Sequence, residues 1–126
     1  MKKMNKKGFT LIEMLVVIAI IAVLVSIIIP TVTSATDKAD AAAIAANLRS
    51  VKAEIVTAAL TDDTTSVWAG IDLDTAGDVT LTEAQTTAAG KIFDDASKFT
   101  ITIGADKSVT VKYDSKDIDT WAGEAK

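Results

Sequence analysis

Glu13 is the one ionisable side chain in the run from Phe9 to Ile29, FTLIEMLVVIAIIAVLVSIII. A carboxylate in an apolar helix costs a few kcal/mol unless it finds a partner or reaches an interface, so it reads as a functional group. The other residues that could do chemistry are also acids. Asp72, Asp74, Asp78 and Glu83 are spread through one loop, and Asp62-Asp63 and Asp94-Asp95 stand in adjacent pairs. Cysteine and histidine are both absent, which removes disulfides, thiolate chemistry, imidazole catalysis and zinc binding together. Adjacent carboxylates diverge on a helix or strand and no nucleophile, base and orienting group stand together, so an enzyme is a remote reading.

The element that must position Glu13 is the run itself. Its 21 residues form a helix of about 30 Å, the thickness of a bilayer's hydrocarbon core. Lys2, Lys3, Lys6 and Lys7 lie on one side only, so the positive-inside rule keeps residues 1–8 in the cytoplasm and sends the chain after Pro30 outward. A conventional secretory signal is the competing reading. The run exceeds the ~7–15 residues of a typical apolar signal core, and Thr33-Ser34-Ala35 is only a fair cleavage site.

The stretch KKGFTLIE resembles the class III signal of type IV pilins and type II secretion pseudopilins. The resemblance implies that a prepilin peptidase cuts between Gly8 and Phe9, that Phe9 becomes an N-methylated N-terminus, and that Glu13 is the fifth residue of the mature chain. It also implies that Glu13 pairs with the free amine of a neighbouring Phe9 during assembly. Pro30 falls where the family often carries a helix-kinking proline. The resemblance covers residues 1 to about 60. Loss of residues 1–8 leaves 9 basic against 17 acidic residues, a formal −8, which argues against direct nucleic-acid binding. Many members of the family close a C-terminal loop with a disulfide, which this chain cannot form.

After Pro30, which should kink or loosen the helix without ending it, residues 37–60 turn strongly helical. Ile44, Leu48, Val51, Ile55 and Ala58/Ala59 draw one apolar stripe, with Arg49, Lys52 and Glu54 off it and facing water. One helix from about Phe9 to Leu60 explains the change from all-round to one-sided hydrophobicity. The sequence TDDTT at 61–65 ends it. Residues 83–97 read as a short helix weakened by Gly90. The segments 98–104 and 108–113 alternate as a hairpin, with Phe99, Ile101, Ile103, Val109, Val111 and Tyr113 on the face that covers the stripe. A third strand is expected around Ile118 to Trp121, and both tryptophans read as core or edge-covering residues.

Residues 72–83 overlay the twelve-residue EF-hand loop with Asp72, Asp74, Gly77 and Glu83 at positions 1, 3, 6 and 12, and Asp78 supplying a backbone carbonyl. Ala76 stands where a third oxygen ligand is needed, and no convincing helix precedes the loop. Calcium is therefore one reading. The other is a tight turn at Gly77 followed by a helix capped by Thr82, with Gln85 completing a capping box.

The expected architecture is α+β: a long N-terminal helix, half transmembrane and half amphipathic, packed on a small antiparallel sheet in the manner of type IV pilins. Residues 1–8 form a cleaved leader, 9–30 the transmembrane and assembly helix, 31–60 its amphipathic continuation, and 61–126 an extracytoplasmic α+β region. No cofactor is expected apart from the calcium reading. The function implied is a structural subunit of a type IV pilus. It enters the cytoplasmic membrane as a single-pass precursor, is processed by the prepilin peptidase and is built by the assembly machinery into a homo-oligomeric helical surface fibre. A pseudopilin of a type II secretion system is the alternative. An anchored calcium-binding or enzymatic domain is the remote one.

Overall fold

The computed structural model describes residues 8–126; the four leader lysines lie outside them. Two compact units divide the chain, residues 1–36 and residues 37–126. Helix α1, Leu11–Thr61, contributes its first part to one and its second part to the other.

In the first unit every described residue is exposed. The helix passes through Pro30 without ending. Proline brings no N–H, so the carbonyl of Ser26 loses its helical donor. The hydroxyls around it turn inward onto the backbone: Ser26 donates to the Val23 carbonyl at 2.7 Å and Thr31 to that of Ile28 at 2.7 Å. Thr33 and Thr36 donate to the carbonyls of Ile29 and Val32, both at 3.0 Å. Four of the five hydroxyls from Ser26 to Thr36 are thus satisfied within the helix, which suits an environment without water.

In the second unit α1 buries Ala41, Ala45, Leu48, Val51, Ile55 and Ala58. The line is displaced from the expected one at its start, since Ile44 is only half-buried while Ala41 and Ala45 are covered. The helix ends on Asp62, whose φ of 52° lies in the left-handed region, with the Asp63 N–H returning to the Ala58 carbonyl at 3.2 Å. Glycine is the usual residue for such a stop; an aspartate tolerates it through its short polar side chain.

The sheet has the order β1-β2-β3-β4, antiparallel throughout: β1 Gly77–Asp78, β2 Phe99–Ile103, β3 Val109–Tyr113 and β4 Lys116–Asp117. The expected hairpin is present, with Phe99 opposite Tyr113, Ile101 opposite Val111 and Ile103 opposite Val109. All six are buried, and they share one core with Leu48, Val51 and Ile55. Each such aliphatic side chain contributes about 1.5–3 kcal/mol when removed from water.

Two expectations need correction, and one short strand was not expected. The helix expected over 83–97 stops as α2, Glu83–Ile92. Phe93 turns extended and puts its ring between Phe99 and Tyr113, at 5.1 and 5.0 Å, and Asp95 then caps a single 3₁₀ turn by accepting from Ser97. The strand expected around Ile118 to Trp121 is instead helix α3, Ile118–Glu124. Asp114 and Ser115, both with positive φ, make a tight two-residue hairpin turn that leaves β4 only two residues long. Asp117 then accepts from the Thr120 N–H and hydroxyl at 2.9 and 2.8 Å, starting the helix, and Ile118 and Trp121 one turn apart pack on the core. Strand β1 lies within the 72–83 loop and pairs with Thr102 and Ile103; two residues are too few to show alternation.

Trp68 is buried and donates its indole N–H to Glu54 at 3.1 Å, so Glu54 is not merely a solvated residue. Half-buried Trp121 donates to the Tyr113 carbonyl at 3.1 Å.

Candidate functional site

Gly8 and Phe9 are exposed and precede the helix, leaving the peptide bond between them in irregular chain. Thr10 stands immediately before α1, and Glu13 is the third helical residue. The Thr10 N–H donates to Glu13 Oε2 at 2.8 Å and its hydroxyl donates to the same oxygen at 3.1 Å. The Glu13 N–H donates back to Thr10 Oγ1 at 3.3 Å. This is a capping box, in which two free donors of the helix start are satisfied reciprocally. The Thr-x-x-Glu spacing is its sequence signature, so Thr10 was legible as a partner of Glu13 and is missing from the sequence-derived site.

The box changes the problem posed by Glu13. Its carboxylate has a partner within its own turn, which reduces the cost of carrying it at the head of an apolar helix. Only Oε2 is used; among the described residues Oε1 accepts from no donor. The remainder of the helix to Thr36 is uncharged, with a mean hydropathy of 3.2 over its most apolar window and none of that window buried. Pro30 sits inside this stretch as a helical residue.

Three of the four acids of the calcium reading take separate partners. Asp72 accepts from the Asp74 N–H at 2.7 Å and from the Thr75 hydroxyl at 2.9 Å. These bonds, with the charge of Lys107 adding to them, hold its carboxyl below the usual range. Asp74 forms an ion pair with Lys107, whose ammonium is held above its usual range by that bond and charge. Asp78 accepts from the Thr102 hydroxyl at 2.8 Å, and Glu83 lies in the first turn of α2. Among the described residues no group of three or more Asp, Glu, His or Cys is placed to hold a metal ion. As placed, the loop does not fit a calcium cage of six to eight converging oxygens.

The alternative reading of the same segment describes what is there. Gly77 has a φ of 138°, and Thr82 caps α2 with Gln85 completing the box. The structure adds a role that spacing does not show: Gln85 is buried, and its amide donates to the Ala69 carbonyl at 3.3 Å, tying the 61–72 segment to α2.

No curated protein and no solved structure matches the chain. A family model described as the prokaryotic N-terminal methylation motif matches residues 3–29. The matched span holds Gly8, Phe9, the Thr10–Glu13 box and the apolar helix almost to Pro30, and with it the apolar helix fits a membrane-anchored precursor. At its N-terminus the chain carries the class III signal of the type IV pilins and pseudopilins.

Proposed function

We propose that this chain is a structural subunit of a type IV pilus, polymerising through its apolar N-terminal helix into a helical surface fibre. The observation that carries the reading is the helix from Leu11 to Thr36. It is apolar on every side through Ile29, wholly exposed, and marked by a single carboxylate at its head. A lone anchor needs no carboxylate there, whereas helices packed in parallel use one to select register, because an unpaired charge in an apolar core costs several kcal/mol.

In this reading the precursor sits N-in and C-out, and the peptidase removes residues 1–8 at the cytoplasmic face. The amine created on Phe9 of one copy meets Glu13 of another, with Thr10 holding one carboxylate oxygen and leaving the second free. The resemblance supports a pilus over a secretion pseudopilus.

Two measurements test it. The intact mass of the mature protein should begin at Phe9 and carry one methyl group; a chain beginning near Asp37 would establish a conventional signal peptide instead. In a strain carrying only Glu13→Ala, insertion and cleavage should continue while sheared fibre falls at least tenfold. Normal fibre yield from that strain would sink the pairing.

A further inference from the structure

We infer that the outer face of α2 is a self-complementary docking surface on which α2 of a second copy lies antiparallel, and that it joins copies in neighbouring fibres. The inference rests on the filament reading above. Along α2, Glu83, Thr87 and Lys91 form one row and Ala84, Ala88 and Ile92 the row beside it, each at i, i+4 and i+8, so both rows lie on one face. With Val67 from the 61–72 segment they line a groove of about 660 Å³. Of the large apolar side chains left exposed in the 37–126 unit, Leu60, Val67 and Ile92, two stand here. The helix is held in place by the Thr82–Gln85 box at its start and by the Asn47 amide, which donates to the Ile92 carbonyl at 3.4 Å.

Charge selects both the occupant and its direction. Glu83 and Lys91 are the only charged residues lining the groove, and they stand at opposite ends of the helix, about 12 Å apart and too far to pair with each other. Neither is in an ion pair among the described residues. Asp94 and Asp95 follow the helix and do not line the groove. A second α2 laid parallel would put Glu83 against Glu83 and Lys91 against Lys91. Laid antiparallel about Thr87, the midpoint of the two, it sets each Glu83 against the other copy's Lys91 and opposes the two helix dipoles. The exposed Val67 and Ile92 of each copy then face an apolar surface instead of water.

The same patch serves on both sides, so the contact is isologous and needs a two-fold. Copies pointing the same way along one fibre are related by a screw, which leaves the surface unpaired within that fibre and open to a fibre alongside. The contact asks nothing of the displacement between neighbours along α1 and is compatible with the pairing of Phe9 and Glu13. A ten-residue helix face supplies far less than the ~1,200–2,000 Å² buried in a stable, specific complex, so one pair of subunits does not hold by itself. Rows of such pairs along two fibres do, because each pair formed raises the effective concentration for the next.

The chain has no cysteine, so Thr87→Cys places a single thiol at the midpoint, where it meets its own counterpart. Mild oxidation of settled bundles of this variant should convert the subunit to a covalent dimer and no larger species, and fibres sheared and diluted apart before oxidation should give none. Asp94→Cys, exposed but off the contact, should give no dimer in either state. Separately, Glu83→Lys and Lys91→Glu should each lower the share of fibre that sediments at low speed about fivefold while leaving total fibre yield unchanged, and the two together should restore it. Unchanged yield also shows that each variant folds. Fibres of the unaltered chain that stay single, bundles indifferent to either reversal, or Thr87→Cys bundles that give no dimer overturn the inference and leave the filament reading standing. Failure of the unaltered chain to form any fibre would instead overturn the filament reading itself.

Discussion

Between Leu11 and Thr36, helix α1 buries none of its side chains, whereas between Asp37 and Thr61 it buries six. The backbone is the same throughout, so the difference lies in what the side chains are offered. The second part finds its partner in the chain's own sheet, where Leu48, Val51 and Ile55 meet the Phe99–Ile103 and Val109–Tyr113 strands. The first part has no partner in its own unit among the described residues; in the proposed filament its burial is gained against lipid or other copies. Most of its few polar groups are turned inward, with Thr10 and Glu13 bonded to each other and four of the five hydroxyls from Ser26 to Thr36 bonded to the backbone. One region is stabilised by folding, and the other, in the proposed function, by association.

The largest test of that contrast separates the two. A fragment of residues 31–126 should be soluble and monomeric and melt cooperatively, with fibre formation lost altogether. Sedimentation and calorimetry report both. An unfolded fragment would mean that the 37–126 unit depends on the apolar helix after all.

Next in size is Ile55→Ala, which removes a fully buried side chain from the core. It should destabilise that fragment by about 2–5 kcal/mol in urea while leaving cleavage at Gly8 unaffected in the full chain. A change at Ile20, exposed in the first unit, should show the opposite pattern: no effect on a fragment that lacks it, and weaker assembly of the whole.

A smaller effect is expected at the head of the helix. Thr10→Val removes the hydroxyl that both donates to Glu13 and accepts from it, at a cost of about 1 kcal/mol to the helix start, and Thr10→Ser should restore it. Fibre yield should fall several-fold in Thr10→Val and recover in Thr10→Ser. Equal yields from both would show that Glu13 needs no support from Thr10.

The smallest effects concern the loops of the second unit. Hydrogen bonds from Thr65, Asp74, Ser97, Ser108 and Thr120 hold the carboxyls of Asp63, Asp72, Asp95, Asp106 and Asp117 below their ordinary value of 3.8. A depressed folded pKa means the stabilisation is present in full above the unfolded value and is lost as pH falls through the folded one. The fragment's melting temperature should therefore be level from neutral pH to about pH 5 and drop slightly by pH 3. Millimolar calcium at neutral pH should leave it unchanged, because Asp72, Asp74 and Asp78 already have separate partners. A rise of several degrees that Asp72→Ala and Glu83→Ala abolish would show that the loop rearranges into a metal site.

Composition and periodicity alone marked the apolar run, the stripe through Leu48, Val51 and Ile55, and the paired faces of the hairpin. Each repeats one simple preference over many residues, so local pattern and global packing agree. The Thr10–Glu13 box was equally local, and its spacing is written in the chain. What only the tertiary structure decided is carried by single residues acting at a distance. Phe93 leaves α2 because a slot between Phe99 and Tyr113 is open to it. Ile118 and Trp121 lie on a helix because the turn at Asp114-Ser115 exhausts the strand and Asp117 caps the next turn of chain. Gln85 and Ala69, sixteen residues apart, meet because α2 packs against the 61–72 segment. No short window of sequence contains both Gln85 and Ala69, or both Phe93 and Tyr113, together with the packing that joins them, and such long-range proximity is the part of the fold that the order of residues does not display.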